Sequence, residues 1–117
     1  MGTGCLIALE HPDGTITYVY CHFDGHMAVT GKILYQHYTS RPQVEALIEK
    51  GSMTALKLPS ENMRRYDPLQ LLTCPNEAGL IQVFQEQYIA YYYYLFTKEE
   101  YWVCRSKSSF SLNDVFE

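Results

Sequence analysis

The tetrapeptide His11-Pro12-Asp13-Gly14 stands between two β-rich runs, GCLIALE and TITYVYC, and constrains the fold more than any other stretch. Asp-Gly supplies the positive φ angles that a tight hairpin turn needs, and Pro12 presets the entry. Strand, turn, strand follows. On the second strand Ile16, Tyr18, Tyr20 and His22 share one face, while Thr15, Thr17, Val19 and Cys21 share the other.

After Gly25 the period changes. Between Ala28 and Tyr38, Val29, Ile33, Leu34 and His37 recur at spacings of three and four, which predicts an amphipathic helix with one inward stripe. Asp24 lies near its start. A second helix follows, with Ser40 as N-cap, Pro42 in its first turn, Val44, Leu47 and Ile48 inward, and Gly51 ending it.

Residues 52–75 read as the least regular part, because Pro59, Pro68 and Pro75 break any long element. A loop of that length inside a small domain is often functional. A third helix is expected from Asn76 to about Gln87, capped by Asn76, with Glu77 at its favourable end and Leu80, Ile81, Val83 and Phe84 packing. YIAYYYYLF, TKEE and YWVCRS then read as a second antiparallel hairpin, and SLNDVF as a short helix or turn. The expectation is a single α+β domain over residues 1–117: an antiparallel sheet built from two β-hairpins, with three helices packed on one face.

Composition bounds the rest. A chain of 117 residues, 47% hydrophobic and 19% charged, can bury one core without staples. The net charge of −4 argues against non-specific nucleic-acid binding, which needs clustered Lys and Arg. No apolar run reaches the ~20 residues of a membrane helix, and the N-terminus has no basic stretch leading into an apolar one, so a cytoplasmic protein is expected. Cys5, Cys21, Cys74 and Cys104 are widely spaced and read as reduced, partly buried thiols rather than a disulfide framework.

Two stretches carry candidate chemistry. In YCHFDGH, Cys21, His22, Asp24 and His26 are all possible ligands, but strand alternation sends Cys21 and His22 to opposite faces and the zinc-site spacings are missing. No metal and no cofactor is expected. The same opposition argues against a Cys21–His22 nucleophile pair. His22 suits proton transfer beside Asp24, as in a metal-independent phosphodiesterase, while Asp24 equally suits a helix cap with Gly25 turning the backbone. In NMRRYDP, Arg64 and Arg65 offer forked contacts to phosphate or carboxylate, Tyr66 offers a stacking ring, and surface ion pairing is the competing role for both arginines.

Alternation divides Tyr91 to Tyr94 between the two faces of their strand, one pair filling the core and the other forming an aromatic face with Tyr18, Tyr20 or Tyr101. Such a face suits recognition. Self-association into a homo-oligomer and stacking on a nucleobase are its two competing uses.

The segment from Tyr20 to Leu56 resembles a family of small, uncharacterised proteins common in tailed-phage genomes. Their pattern is Tyr-Cys-His, an aromatic, Asp-Gly, then Gly and a Leu-rich helix ending His-Tyr. Tyr20, Cys21, His22, Asp24, Gly25, Gly31, His37 and Tyr38 match it, and HPDGT also looks like that family. Phe23 replaces a tryptophan, and His26 stands where an aromatic is usual. The resemblance implies a phage origin and an anti-defence role in an infected bacterial host. The expected function is non-catalytic sequestration of a nucleotide-type immune signal by Tyr20, His22, Asp24, Arg64, Arg65 and Tyr66. The alternatives are a protein–protein inhibitor of a defence complex, of the anti-CRISPR type, and a phosphodiesterase using His22.

Overall fold

Strand β1 (Gly4–Glu10) is the spine of the molecule, and Cys5 to Leu9 are each no more than 1% exposed. A computed structural model describes residues 4–21, 27–53, 66–67, 72–86, 90–106 and 114–115, with backbone alone at 27–28, 52–53, 66–67 and 114–115. The expected turn joins β1 to β2 (Ile16–Cys21): Gly14 N–H donates to the His11 carbonyl at 2.9 Å, and Gly14 takes φ +92°. Asp13 Oδ1 accepts from the Thr15 amide and hydroxyl at 2.9 and 2.7 Å, bonds that hold the carboxyl below its ordinary pKa.

Met27–Gly31 winds as a π-helical turn and runs into α1 (Lys32–His37). The wider turn shifts the phase of the helix. Thr30, Leu34 and Tyr38 therefore face inward, whereas Val29 and His37, expected in the buried stripe, are exposed. Helix α2 (Arg41–Glu49) follows the sequence reading: Ser40 occupies the N-cap, its amide and that of Thr39 donate to Gln43 Oε1, and Val44, Leu47 and Ile48 are buried. Gly51 ends it at φ +90°.

The stretch expected to be irregular contains three short strands, β3 (Ser52–Met53), β4 (Tyr66–Asp67) and β5 (Leu72–Cys74). Helix α3 (Glu77–Glu86) begins where expected, the Gly79 amide donating to Asn76 Oδ1 at 2.9 Å. Strands β6 (Ala90–Phe96) and β7 (Trp102–Ser106) form the second hairpin. β8 (Asp114–Val115) pairs with β7 where a helix or turn was expected.

The chain is α+β, as expected, but two details differ. The sheet is mixed: its order is β4-β3-β2-β1-β6-β7-β8, with β5 also on β2, and both β1–β6 and β2–β3 run parallel. The two hairpins thus meet side by side through their first strands. The helices also divide between both faces of the sheet. Cys5, Ile7, Leu9, Val19, Tyr94, Phe96 and Trp102 pack with Leu34, Val44, Leu47 and Ile48 of α1 and α2. Leu6, Ala8, Ile16, Tyr18, Tyr93 and Leu95 pack with Leu80 and Phe84 of α3. Neither strand face in the first hairpin is polar, which is what a sheet buried on both sides requires.

That second layer removes the open aromatic face. Tyr93 and Tyr94 are 0% exposed, one under α3 and the other under α1 and α2. Between Gly4 and Cys5 the β1–β6 register steps from Ala90 to Tyr92, so Tyr91 is an extra, bulged residue. It is 49% exposed while the other three tyrosines of the run are covered to differing degrees. Among the described residues, no helix is long and apolar enough to cross a membrane.

Candidate ligand-binding corner

Cys21 pairs with Met53, and Met53 pairs on its other side with Tyr66. At the usual strand spacing, Tyr66 therefore lies two strands, about 10 Å, from the end of β2. In the chain Cys21 directly precedes His22, and Tyr66 directly follows Arg65. The ladder brings Cys21 and Tyr66, forty-five positions apart in sequence, to one corner of the sheet. His22, Asp24, Arg64 and Arg65 themselves lie outside the described residues, and Tyr66 is described by its backbone.

Tyr20 is described fully. It is half-buried on the α3 side and meets Tyr18 edge to face, with ring centroids 6.4 Å apart and planes at 77°. Burial raises the pKa of both phenols, so they are neutral hydrogen-bonding groups at physiological pH. The outer edge of β2 forks here. Among the described residues, β5 pairs along Ile16 to Tyr18 and β3 pairs at Cys21, so Tyr20 lies between the two pairings.

Elsewhere, two of the described cavities carry carboxylates in their lining. A cavity of about 310 Å³ is lined by Leu9, His11, Thr17, Glu45, Ile48 and Glu49, with His11 Nε2 2.7 Å from Thr17 Oγ1. Two carboxylates at its rim oppose an anionic ligand. A second cavity, about 290 Å³, lies between the β6–β7 turn and the start of α3 and is lined by Glu10, Glu77, Glu99, Lys98, Tyr101 and Arg105, among others.

Sequence reasoning missed the cluster beneath that second cavity. Tyr93 Oη donates to Glu77 Oε2 at 2.9 Å, Arg105 Nη2 approaches the same oxygen at 3.4 Å, and the Arg105 guanidinium lies 6.0 Å from the Tyr93 ring centre. Arg105 stands directly opposite Tyr93 in the β6–β7 ladder, so only the pairing register reveals the triad. Its signal in the sequence was a charged residue closing the apolar run YWVC. Glu77 and Arg105 neutralise each other, so the cluster reads as an anchor for α3.

In the folded protein Cys5 and Cys74 are poor nucleophiles. Burial, then the neighbouring Cys21, pushes the Cys5 thiol well above its ordinary range, and burial raises Cys74 as well. Among the described residues no three His, Cys, Asp or Glu side chains are grouped to hold a metal. No family model matches the chain, and no curated protein or solved structure is similar to it.

Proposed function

We propose that the protein is a non-catalytic binder of a nucleotide-type ligand, with its site at the β2–β3–β4 corner. The observation that supports this reading is the ladder Cys21–Met53–Tyr66, whose first and last residues belong to the YCHFDGH and NMRRYDP stretches. In this reading Arg64 and Arg65 take the phosphates, Tyr20 and Tyr66 flank the base, and His22 and Asp24 bond to its polar edge. The carboxylates lining the cavities at Glu45 and Glu49 and at Glu10 and Glu99 support the corner over either of those two as an anion site. Protonated, buried thiols speak against thiol catalysis and so favour holding over cleaving.

Joined to the resemblance of Tyr20 to Leu56 to small tailed-phage proteins, the reading extends to an anti-defence role. The ligand would be a nucleotide immune signal in the cytoplasm of an infected bacterium. A protein–protein inhibitor of a defence complex is the second reading, favoured by the exposed rings of Tyr91 and Tyr101. The test is mass spectrometry of small molecules released by heat from protein purified out of defence-active cells. An intact nucleotide is the expected result. A cleaved one promotes a His22 phosphodiesterase, and an empty protein that copurifies with a defence subunit promotes the inhibitor.

A further inference from the structure

We propose that Cys5 and Cys21 form a dithiol redox site that closes into a cross-strand disulfide, clamping the start of β1 to the end of β2. The β1–β2 register sets the two residues directly opposite each other. Directly opposed residues in an antiparallel pair have Cα atoms about 4.5–5.5 Å apart, inside the roughly 4.4–6.8 Å that a disulfide spans. Both side chains point to the α1/α2 face, and the two thiols are in hydrogen-bond contact. Closure needs a rotation of side chains rather than a shift of strands.

The other thiols are excluded by topology. Cys104 shares that face but lies on β7, two strands from β1 across β6, or about 10 Å at the usual spacing. Bridging fails beyond about 7 Å between Cα atoms. Cys74 belongs to the opposite core, under α3.

The oxidant class is a small-molecule disulfide such as oxidised glutathione. One cysteine thiolate attacks it and releases the first glutathione thiol. The second cysteine then displaces the other glutathione, forming the Sγ–Sγ bond. The two cysteine protons end on the two glutathione thiols, and two electrons have reduced the glutathione disulfide. Both residues are only 1% exposed, so exchange proceeds while the hairpin is open, during folding or local unfolding. Cys21 is also the residue through which β2 pairs with β3, so the clamp ties the candidate corner to the spine of the sheet whatever that corner binds.

The experiment refolds the full chain from urea in glutathione buffers from fully reduced to fully oxidised, alkylates the remaining thiols, and maps the bridges by peptide mass spectrometry. The expected product is one intramolecular bridge, Cys5 to Cys21, with Cys74 and Cys104 alkylated and the melting temperature raised by more than about 5 °C. The Cys74→Ala/Cys104→Ala double variant should keep the bridge, and Cys5→Ser should leave Cys21 alkylated. If the double variant does not fold, the wild-type bridge map decides. Folded protein with four alkylated cysteines at the oxidising end overturns the proposal. So does a bridge through Cys74 or Cys104, or a glutathione adduct at Cys5 that never closes.

Discussion

The indole of Trp102 donates to the backbone carbonyl of Tyr38 at 2.9 Å, a buried bond across sixty-four positions of sequence that ties the second hairpin to the end of α1. Trp102 is 3% exposed and meets Phe96 at a ring separation of 5.2 Å, so the donor is held by packing. Trp102→Phe keeps most of that packing and deletes the donor. We expect a loss of about 1–3 kcal/mol in urea unfolding, the cost of taking a partner from a buried polar group. A change under a few tenths would mean that the bond contributes nothing.

Phe84 tests the second layer. It is fully buried on the inner side of α3 and meets Tyr93 edge to face at 5.1 Å. Phe84→Ala should cost about 3–5 kcal/mol, and the exposed Gln85→Ala should stay within about 0.5 kcal/mol. Equal effects from both in chemical denaturation would contradict the packing of α3 on the sheet.

Alkaline pH should weaken the fold. Burial, reinforced at Tyr93 by the Glu77 carboxylate and at Tyr94 by neighbouring thiols, keeps both phenols protonated above the ordinary tyrosine range, and burial does the same for the Cys5 thiol. The unfolded chain releases these protons first. This share of the stability is whole below about pH 8.5 and falls as pH climbs past the ordinary thiol and phenol values, about 8.5 and 10, toward the raised folded values. Urea midpoints should be level from pH 6 to 8 and drop between 9 and 11, less steeply in Tyr94→Phe. A midpoint unchanged to pH 11 would refute the argument.

Gly14 is needed for its backbone, not for space. At φ +92° an added Cβ would meet nothing within 4 Å, so any penalty is conformational. Gly14→Ala should cost about 1–2 kcal/mol and Gly14→Asn less, since asparagine tolerates positive φ. Thermal melts of the two variants separate the explanations: equal losses would point to a lost contact instead.

At the candidate corner, Arg64→Ala and Arg65→Ala should each reduce retention of a phosphate-bearing ligand, with a loss that shrinks at high salt, whereas the loss for His22→Ala should change less with salt. Isothermal titration at two ionic strengths reads this directly. Unchanged affinity in all three variants would move the site elsewhere on the molecule.

What the sequence reveals follows the range of the interaction. The His11–Gly14 turn, the Ser40 cap, Gly51 and the Asn76 cap are decided within a few residues of themselves, and all stand where the local pattern puts them. The parallel pairing of β1 with β6 is decided by residues some eighty positions apart, and no local signal specifies it. The placement of α3 on the opposite face follows from that pairing. The Tyr91 bulge was invisible for the same reason, since alternation along one strand does not show where its partner skips a residue. At the site, the chemistry of Tyr20, Arg64, Arg65 and Tyr66 was readable as residue type. The ladder that links Cys21 to Tyr66 was not, because it depends on the two-residue strand β3, too short to carry a pattern.

The central place of β1 bears on how the protein is made. Strand β1, which finally lies in the middle of the sheet, leaves the ribosome ahead of both its partners, with β2 available at once and β6 only about eighty residues later. Until then one apolar edge of β1 has no neighbour of its own, and an unpaired edge is where nascent chains find each other. High expression should therefore favour inclusion bodies, because many chains then expose that edge at once, and lowering the expression level at a fixed temperature should recover folded protein.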